Sequence, residues 1–189
     1  MVPHLVVVLP GQRYGVEGPA LHIPILALEE MGAETVVVEY PPRPPGANET
    51  EWEVAFRDSV ATQVATLVDR AQPTRVTFLA KSIGTVVLAS LEVTSQMAAQ
   101  VEAVWVTPIF GQEPVRAGAV AHGWRSLLIA GGADPLHVPD HHETVREALA
   151  ADSLVLPNAD HSLEVPGDVL ATVNGFRALA QAVLAFARP

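Results

Sequence analysis

Apolar residues fall in six short, nearly unbroken runs: HLVVVL (4–9), TVVVEY (35–40), RVTFLA (75–80), VEAVWV (101–106), SLLIA (126–130) and SLVLP (153–157). Most are rich in Val, Leu and Ile and do not alternate with polar residues. Strands covered on both faces have this composition, which points to a parallel sheet. Between the runs the pattern turns helical. PALHIPILALEEMG (19–32) opens on Pro19 in the first turn and stops at Gly32. ETEWEVAFRDSVATQVATLVDRAQ (49–72) carries acids early, Arg70 late and Pro73 just beyond. IGTVVLASLEVTSQMAAQ (83–100), PDHHETVREALAA (139–151) and PGDVLATVNGFRALAQAVLAFARP (166–189) complete the helical set.

The resulting order is β-α-β-α-β-α-β-loop-β-α-β-α. It predicts an α/β fold, a doubly wound, mostly parallel six-stranded sheet with helices on both faces and right-handed crossovers. No linker or internal repeat divides the chain, so residues 1–189 are expected to form one domain. YPPRPPGANET (40–50) is expected to be a stiff loop. The segment 107–125 after the fourth strand is expected to be irregular.

Composition narrows the functional classes. With 189 residues the chain can bury a core without covalent staples. It has no cysteine, which excludes disulfides, thiolate metal sites and a cysteine nucleophile. A formal charge of −10, with no stripe of Lys and Arg, argues against nucleic acid as a partner. The short apolar start, MVPHLVVVLPG, lacks the flanks of a signal peptide, and no stretch of about 18 uninterrupted apolar residues exists. A soluble, cytoplasmic protein without a membrane partner is the expectation. Oligomeric state is left open.

Ligands on open parallel sheets gather at the carboxyl ends of the strands. Three residues there carry chemistry. Ser82, in AKSIG, lies between a buried strand and an apolar helix. Small residues two before and two after it suit a strained strand-to-helix elbow that presents a nucleophile. An ordinary helix N-cap is the competing reading. Asp134, in GGADP, follows the fifth strand. A buried carboxylate there orients a histidine, whereas Asp-Pro alone reads as a solvated turn. His161, in NADHSL, follows the sixth strand and is suited to general base chemistry near neutral pH. Seven histidines in the chain make a loop histidine by chance easy.

Order, spacing and strand ends together make the chain resemble an α/β-hydrolase, with AKSIG as nucleophile elbow, GGADP as acid loop and ADHSL as histidine loop. The likeness spans nearly the whole chain. Within the superfamily it is similar to small, lidless enzymes of the dienelactone-hydrolase-like kind. The resemblance implies a serine hydrolase that cleaves a small-molecule carboxylic ester, thioester or amide through an acyl-enzyme on Ser82, with no cofactor. It implies Ser82, Asp134 and His161 as catalytic residues. It also implies an oxyanion hole from the backbone N–H groups of Ile83 and of Gln12, in LPGQ after the first strand, with Arg13 next in line. The two extra leading strands and the helical lid of many relatives are missing, so an open pocket is expected, rimmed by Arg13, Tyr14, Ile109, Phe110 and Trp124. For Trp124, packing is the preferred role. A non-catalytic scaffold on the same fold and a cofactor-free acyltransferase or perhydrolase are the alternatives.

Other groups are weighed and set aside. His137 and His141 have helical metal-ligand spacing, but Pro139 between them marks a helix start, with Asp140 in its first turn and His142 beyond, so no metal site is expected. Asp160 adjoins His161 yet is ranked below Asp134 as its partner. Glu164 reads as a surface charge. Lys81, the variable residue of the elbow, has no assigned role. The glycine-rich GQRYGVEG (11–18) lacks dinucleotide-binding spacing.

Overall fold

A computed structural model describes residues 2–42, 44–46, 48–91 and 100–188. Six strands, β1 (His4–Leu9), β2 (Glu34–Val37), β3 (Arg75–Lys81), β4 (Gln100–Val106), β5 (Arg125–Gly131) and β6 (Asp152–Leu156), form one sheet in the order β2-β1-β3-β4-β5-β6. Every pairing is parallel. The strand order reverses between β1 and β3, and the crevice at such a reversal is where open α/β sheets bind ligands. β1, β3, β4 and β5 are buried along nearly their whole length, which is why they read as unbroken apolar runs. β2 and β6 are the partly exposed edges.

The helices are α1 (Pro19–Glu30), α2 (Glu49–Ala71), α3 (Ile83–Ser90), α4 (Glu113–His122), α5 (Pro139–Leu149) and α6 (Val169–Ala187). Alternate strand residues feed two cores. Leu5, Val7, Phe78 and Trp105 meet Phe56, Val60 and Val64 of α2, Leu88 of α3, Val115 of α4 and Val145 of α5. Val6, Val8, Leu79, Val104 and Ile129 meet Leu21 and Leu28 of α1 and Leu179, Val183 and Phe186 of α6. Each such side chain contributes roughly 1.5–3 kcal/mol by leaving water. α6 is the one helix among the described residues long and apolar enough to cross a membrane. Its inner face lies on the sheet beside α1.

Two expectations change. The segment 107–125 is not irregular throughout, because α4 occupies much of it, from Pro114 in its first turn to Gly123 in the left-handed conformation at its end. Its signal is faint: it buries only Val115 and Ala119, and Gly118 in its interior weakens the helical pattern. The helix after Ser82 ends at Ser90, with Leu91 already extended. The rest of its expected span, 92–99, lies outside the described residues, and Gln100 opens β4.

At the amino ends of the strands, fully buried Glu102 ties the sheet together. It accepts hydrogen bonds from Arg75 Nε at 2.8 Å and Thr77 Oγ1 at 2.7 Å, with Arg125 Nη1 at 3.4 Å. Arg75 Nη1 also donates to the Ala187 carbonyl at 2.9 Å, fixing the end of α6.

Candidate active site

The carboxyl ends of β1, β3, β4, β5 and β6 lie together at the opposite edge. Ser82 stands where β3 becomes α3, with φ 53° and ψ −117°. A non-glycine residue held in such a conformation costs about 1–3 kcal/mol and needs its surroundings to enforce it. The turn is enforced from both sides. Ser82 N–H donates to the Val106 carbonyl at 3.1 Å, and its carbonyl accepts from Thr85 N–H at 2.8 Å and Thr85 Oγ1 at 2.6 Å. Gly84 makes the elbow possible, because a methyl there would lie 2.1 Å from the Leu9 carbonyl oxygen. The Ser82 side chain caps no helix N–H. Its Oγ is instead 2.8 Å from His161 Nε2.

His161 Nδ1 lies 2.7 Å from Asp134 Oδ2. Asp134 is buried, and its other oxygen accepts from Leu136 N–H at 2.9 Å. Burial pushes this carboxyl up, but the hydrogen bonds from His161 and the Leu136 N–H, with the charges of His161 and Lys81, outweigh it and hold the group below the ordinary carboxylate value. The acid and histidine loops are stitched together by Gly132 N–H to the Leu156 carbonyl at 2.8 Å and Ala133 N–H to the Ala159 carbonyl at 2.9 Å. Asp160 does not touch the imidazole. Its Oδ1 accepts from Ser162 N–H at 2.7 Å and Glu164 N–H at 3.2 Å, which shapes the turn that carries His161. Glu164 itself is exposed.

The loop after β1 closes another side. A methyl on Gly11 would lie 3.7 Å from Ser82 Cβ, so this loop runs beside the serine. Gly11 N–H is taken by the Tyr14 carbonyl at 3.2 Å, and the turn between them exposes Gln12 and Arg13. At the start of α3, Ile83 has a first-turn N–H with no intrahelical acceptor. Tyr14 turns its hydroxyl to Ala20 N–H at 2.9 Å and its ring towards Lys81. Half-buried Ile109 donates its N–H to Thr85 Oγ1 at 3.2 Å, one turn from the serine.

Two of the expected pocket residues lie elsewhere. Phe110 is only 2 % exposed and packs in the core against Trp105 and the edge of His142. Trp124 precedes β5 at the amino end of the sheet, stacked on Phe78 and His122, and cannot rim a site at the other end. Of the histidines after β5, His137 meets His142 edge to face with ring centres 5.1 Å apart. His142 Nε2 is 2.8 Å from Ser153 Oγ, His141 Nδ1 is 3.3 Å from Arg116 Nη1, and among the described residues no three His, Asp or Glu side chains converge.

Lys81 is the residue beside the site whose role the sequence left blank. It is fully buried, with Nζ 2.7 Å from the His161 carbonyl oxygen, 3.0 Å from Thr107 Oγ1 and 4.5 Å from the centre of the Tyr14 ring. Burial lowers its pKa to about 8 against the opposing pull of Asp134 and Asp160. A charged residue closing an otherwise buried strand, FLAK, is the signal that could have marked it. Thr107, its second partner, carried no such signal.

No family model and no curated protein sequence matches the chain. Solved structures do. Est1E from Butyrivibrio proteoclasticus with ferulic acid bound superimposes with a TM-score of 0.71 at 13% identity, covering 97% of this chain and 87% of that one. An α/β serine hydrolase homologue from Coxiella burnetii gives 0.70 at 12%, covering 98% and 85%. An α/β serine hydrolase without a lid from Xanthomonas campestris gives 0.64 at 16%, covering 98% and 81%. At these identities the likeness concerns architecture, and it shows that the chain has the α/β-hydrolase fold.

Proposed function

We propose that the protein is a serine hydrolase that cleaves a carboxylic ester, or a thioester or amide, of a small molecule. The observation that carries this reading is the continuous path from Ser82 Oγ to His161 to buried Asp134, 2.8 and 2.7 Å per step, set on a strained elbow at the strand ends. With Nδ1–H donating to Asp134, the His161 Nε2 lone pair faces the serine hydroxyl. His161 then takes the proton as Ser82 Oγ attacks the acyl carbon, and Asp134 stabilises the imidazolium. The N–H groups of Gln12 and Ile83 receive the oxyanion, each worth on the order of 3 kcal/mol in the transition state. His161 gives its proton to the leaving group, leaving the acyl group on Ser82 Oγ. It then takes a proton from water, whose oxygen attacks the acyl carbon, and returns that proton to Ser82 Oγ as the acid departs. The His161 side chain is one-third exposed to that water. Gln12 and Arg13 are exposed and Ile109 is half-buried beside the elbow, which favours short acyl chains.

A panel of p-nitrophenyl esters of graded chain length tests this. Wild type should hydrolyse short acyl chains fastest, and Ser82→Ala should fall to background. Equal turnover by Ser82→Ala, or none by wild type on any ester, thioester or anilide, would leave the fold without this activity.

A further inference from the structure

We propose that Lys81 is a positioning residue, whose ammonium pins the segment carrying His161 to the strand ends that carry Ser82 and Thr107. The inference rests on the hydrolase reading of the site and assigns a task to a residue that reading does not use. Lys81 directly precedes Ser82 in the chain, and its Nζ reaches the backbone carbonyl of His161 itself at 2.7 Å. One side chain thus links the residue before the nucleophile to the residue that bears the base. Its second acceptor, Thr107 Oγ1 at 3.0 Å, sits at the end of β4, and the ring of Tyr14, from the loop after β1, lies on its cation. The titratable groups around it are Asp134 from the β5 loop, Asp160 and His161 from the β6 loop, and Tyr14.

Stability does not explain a cation in this position. Removing an ammonium from water is costly, and apolar side chains of similar volume often replace buried ions without loss. Methionine would fill much of the same space. What it lacks is the donor to the His161 carbonyl. Without that bond the histidine segment keeps its backbone bonds to the acid loop, but its contact with the Ser82 elbow is the side-chain bond that the reaction must break and remake. Deprotonation has the same effect in milder form, since a neutral amine loses the charge-assisted character of its bonds.

The test compares wild type with Lys81→Met and Thr107→Val. Expected for Lys81→Met are a melting temperature near that of wild type, a kcat lower by roughly ten- to a hundredfold with KM changed little, and faster amide exchange in residues 158–165. Thr107→Val, which removes one acceptor, should lose less. The wild-type pH profile should carry a descending limb near the pKa of about 8 held by Lys81, and this limb should be absent in Lys81→Met. A Lys81→Met protein with wild-type kcat, unchanged exchange or the same alkaline limb overturns the proposal. So does a collapse in melting temperature with proportionate loss everywhere, which marks a merely structural role. If wild type shows no hydrolase activity, the function proposed above fails instead, and exchange in 158–165 still decides the anchoring.

Discussion

Gly131→Ala tests how tightly the histidine must be held. Gly131 ends β5 beneath the histidine loop, and a methyl there would lie 2.3 Å from the Asp160 carbonyl oxygen and 2.4 Å from that of Ala159. Ordinary contact begins at 3.4 Å, so one side must retreat by about 1 Å. Both atoms are backbone, and no rotamer change relieves the clash. The retreat is further opposed by the Gly132–Leu156 and Ala133–Ala159 hydrogen bonds on either side. Asp160 adjoins His161, so the displacement reaches the imidazole and breaks its 2.8 Å contact with Ser82. A misplacement of this size costs about a hundredfold in rate, and the overpacking about 1–3 kcal/mol in stability. Ester turnover and urea denaturation of the same preparation measure both. Gly111→Ala is the control, because its nearest neighbour, Val138 Cγ2, is 3.7 Å away. Wild-type turnover and stability in Gly131→Ala would refute the claim that this close approach positions the base.

Further substitutions probe the rest of the structure. Asp134→Asn should preserve the fold but favour the wrong imidazole tautomer, lowering kcat by up to ~10⁴-fold, and a loss under tenfold in stopped-flow or steady-state assays would remove Asp134 from its role. Glu102→Ala removes the carboxylate that accepts from Arg75 Nε and Thr77 Oγ1 at the far end of the sheet and should cost about 3–5 kcal/mol by chemical denaturation, with a cost below 1 kcal/mol contradicting the clamp. His142 is pushed down to about 4, first by burial and then by the positive charges of His137 and Arg146, so the fold favours its neutral form. As pH falls from 6.5 to 4 the unfolded chain takes up the proton first and stability drops, by about 2 kcal/mol after allowing for solvent screening. His142→Gln, which keeps a donor for Ser153, should flatten that slope in melting curves, and an unchanged slope would assign it to other groups.

What was legible in the chain follows from which signals are local. Strands β1, β3, β4 and β5 are covered on both faces, so burial writes itself into the sequence as runs such as HLVVVL and RVTFLA. The meeting of Ser82, Asp134 and His161 could be anticipated for a related reason: in a parallel sheet, residues that follow strands share an edge whatever their separation in sequence. α4 was hidden because a helix that buries only Val115 and Ala119 leaves almost no periodic stripe. Phe110 was misplaced because proximity along the chain does not say which way a side chain turns: it turns inward under α4 and α5, whereas Trp124, for which packing was preferred, stacks on Phe78 at the other end of the sheet. Lys81 escaped assignment because its partners, Thr107 and the His161 carbonyl, are 26 and 80 residues away.

The most direct measurement is reaction of the protein with a fluorophosphonate, followed by peptide mass spectrometry. Wild type should acquire a single adduct on Ser82, and the adduct should vanish in Ser82→Ala and form far more slowly in a His161→Ala protein. An unlabelled wild type, or an adduct that persists in Ser82→Ala, would contradict the assignment of Ser82 as the nucleophile.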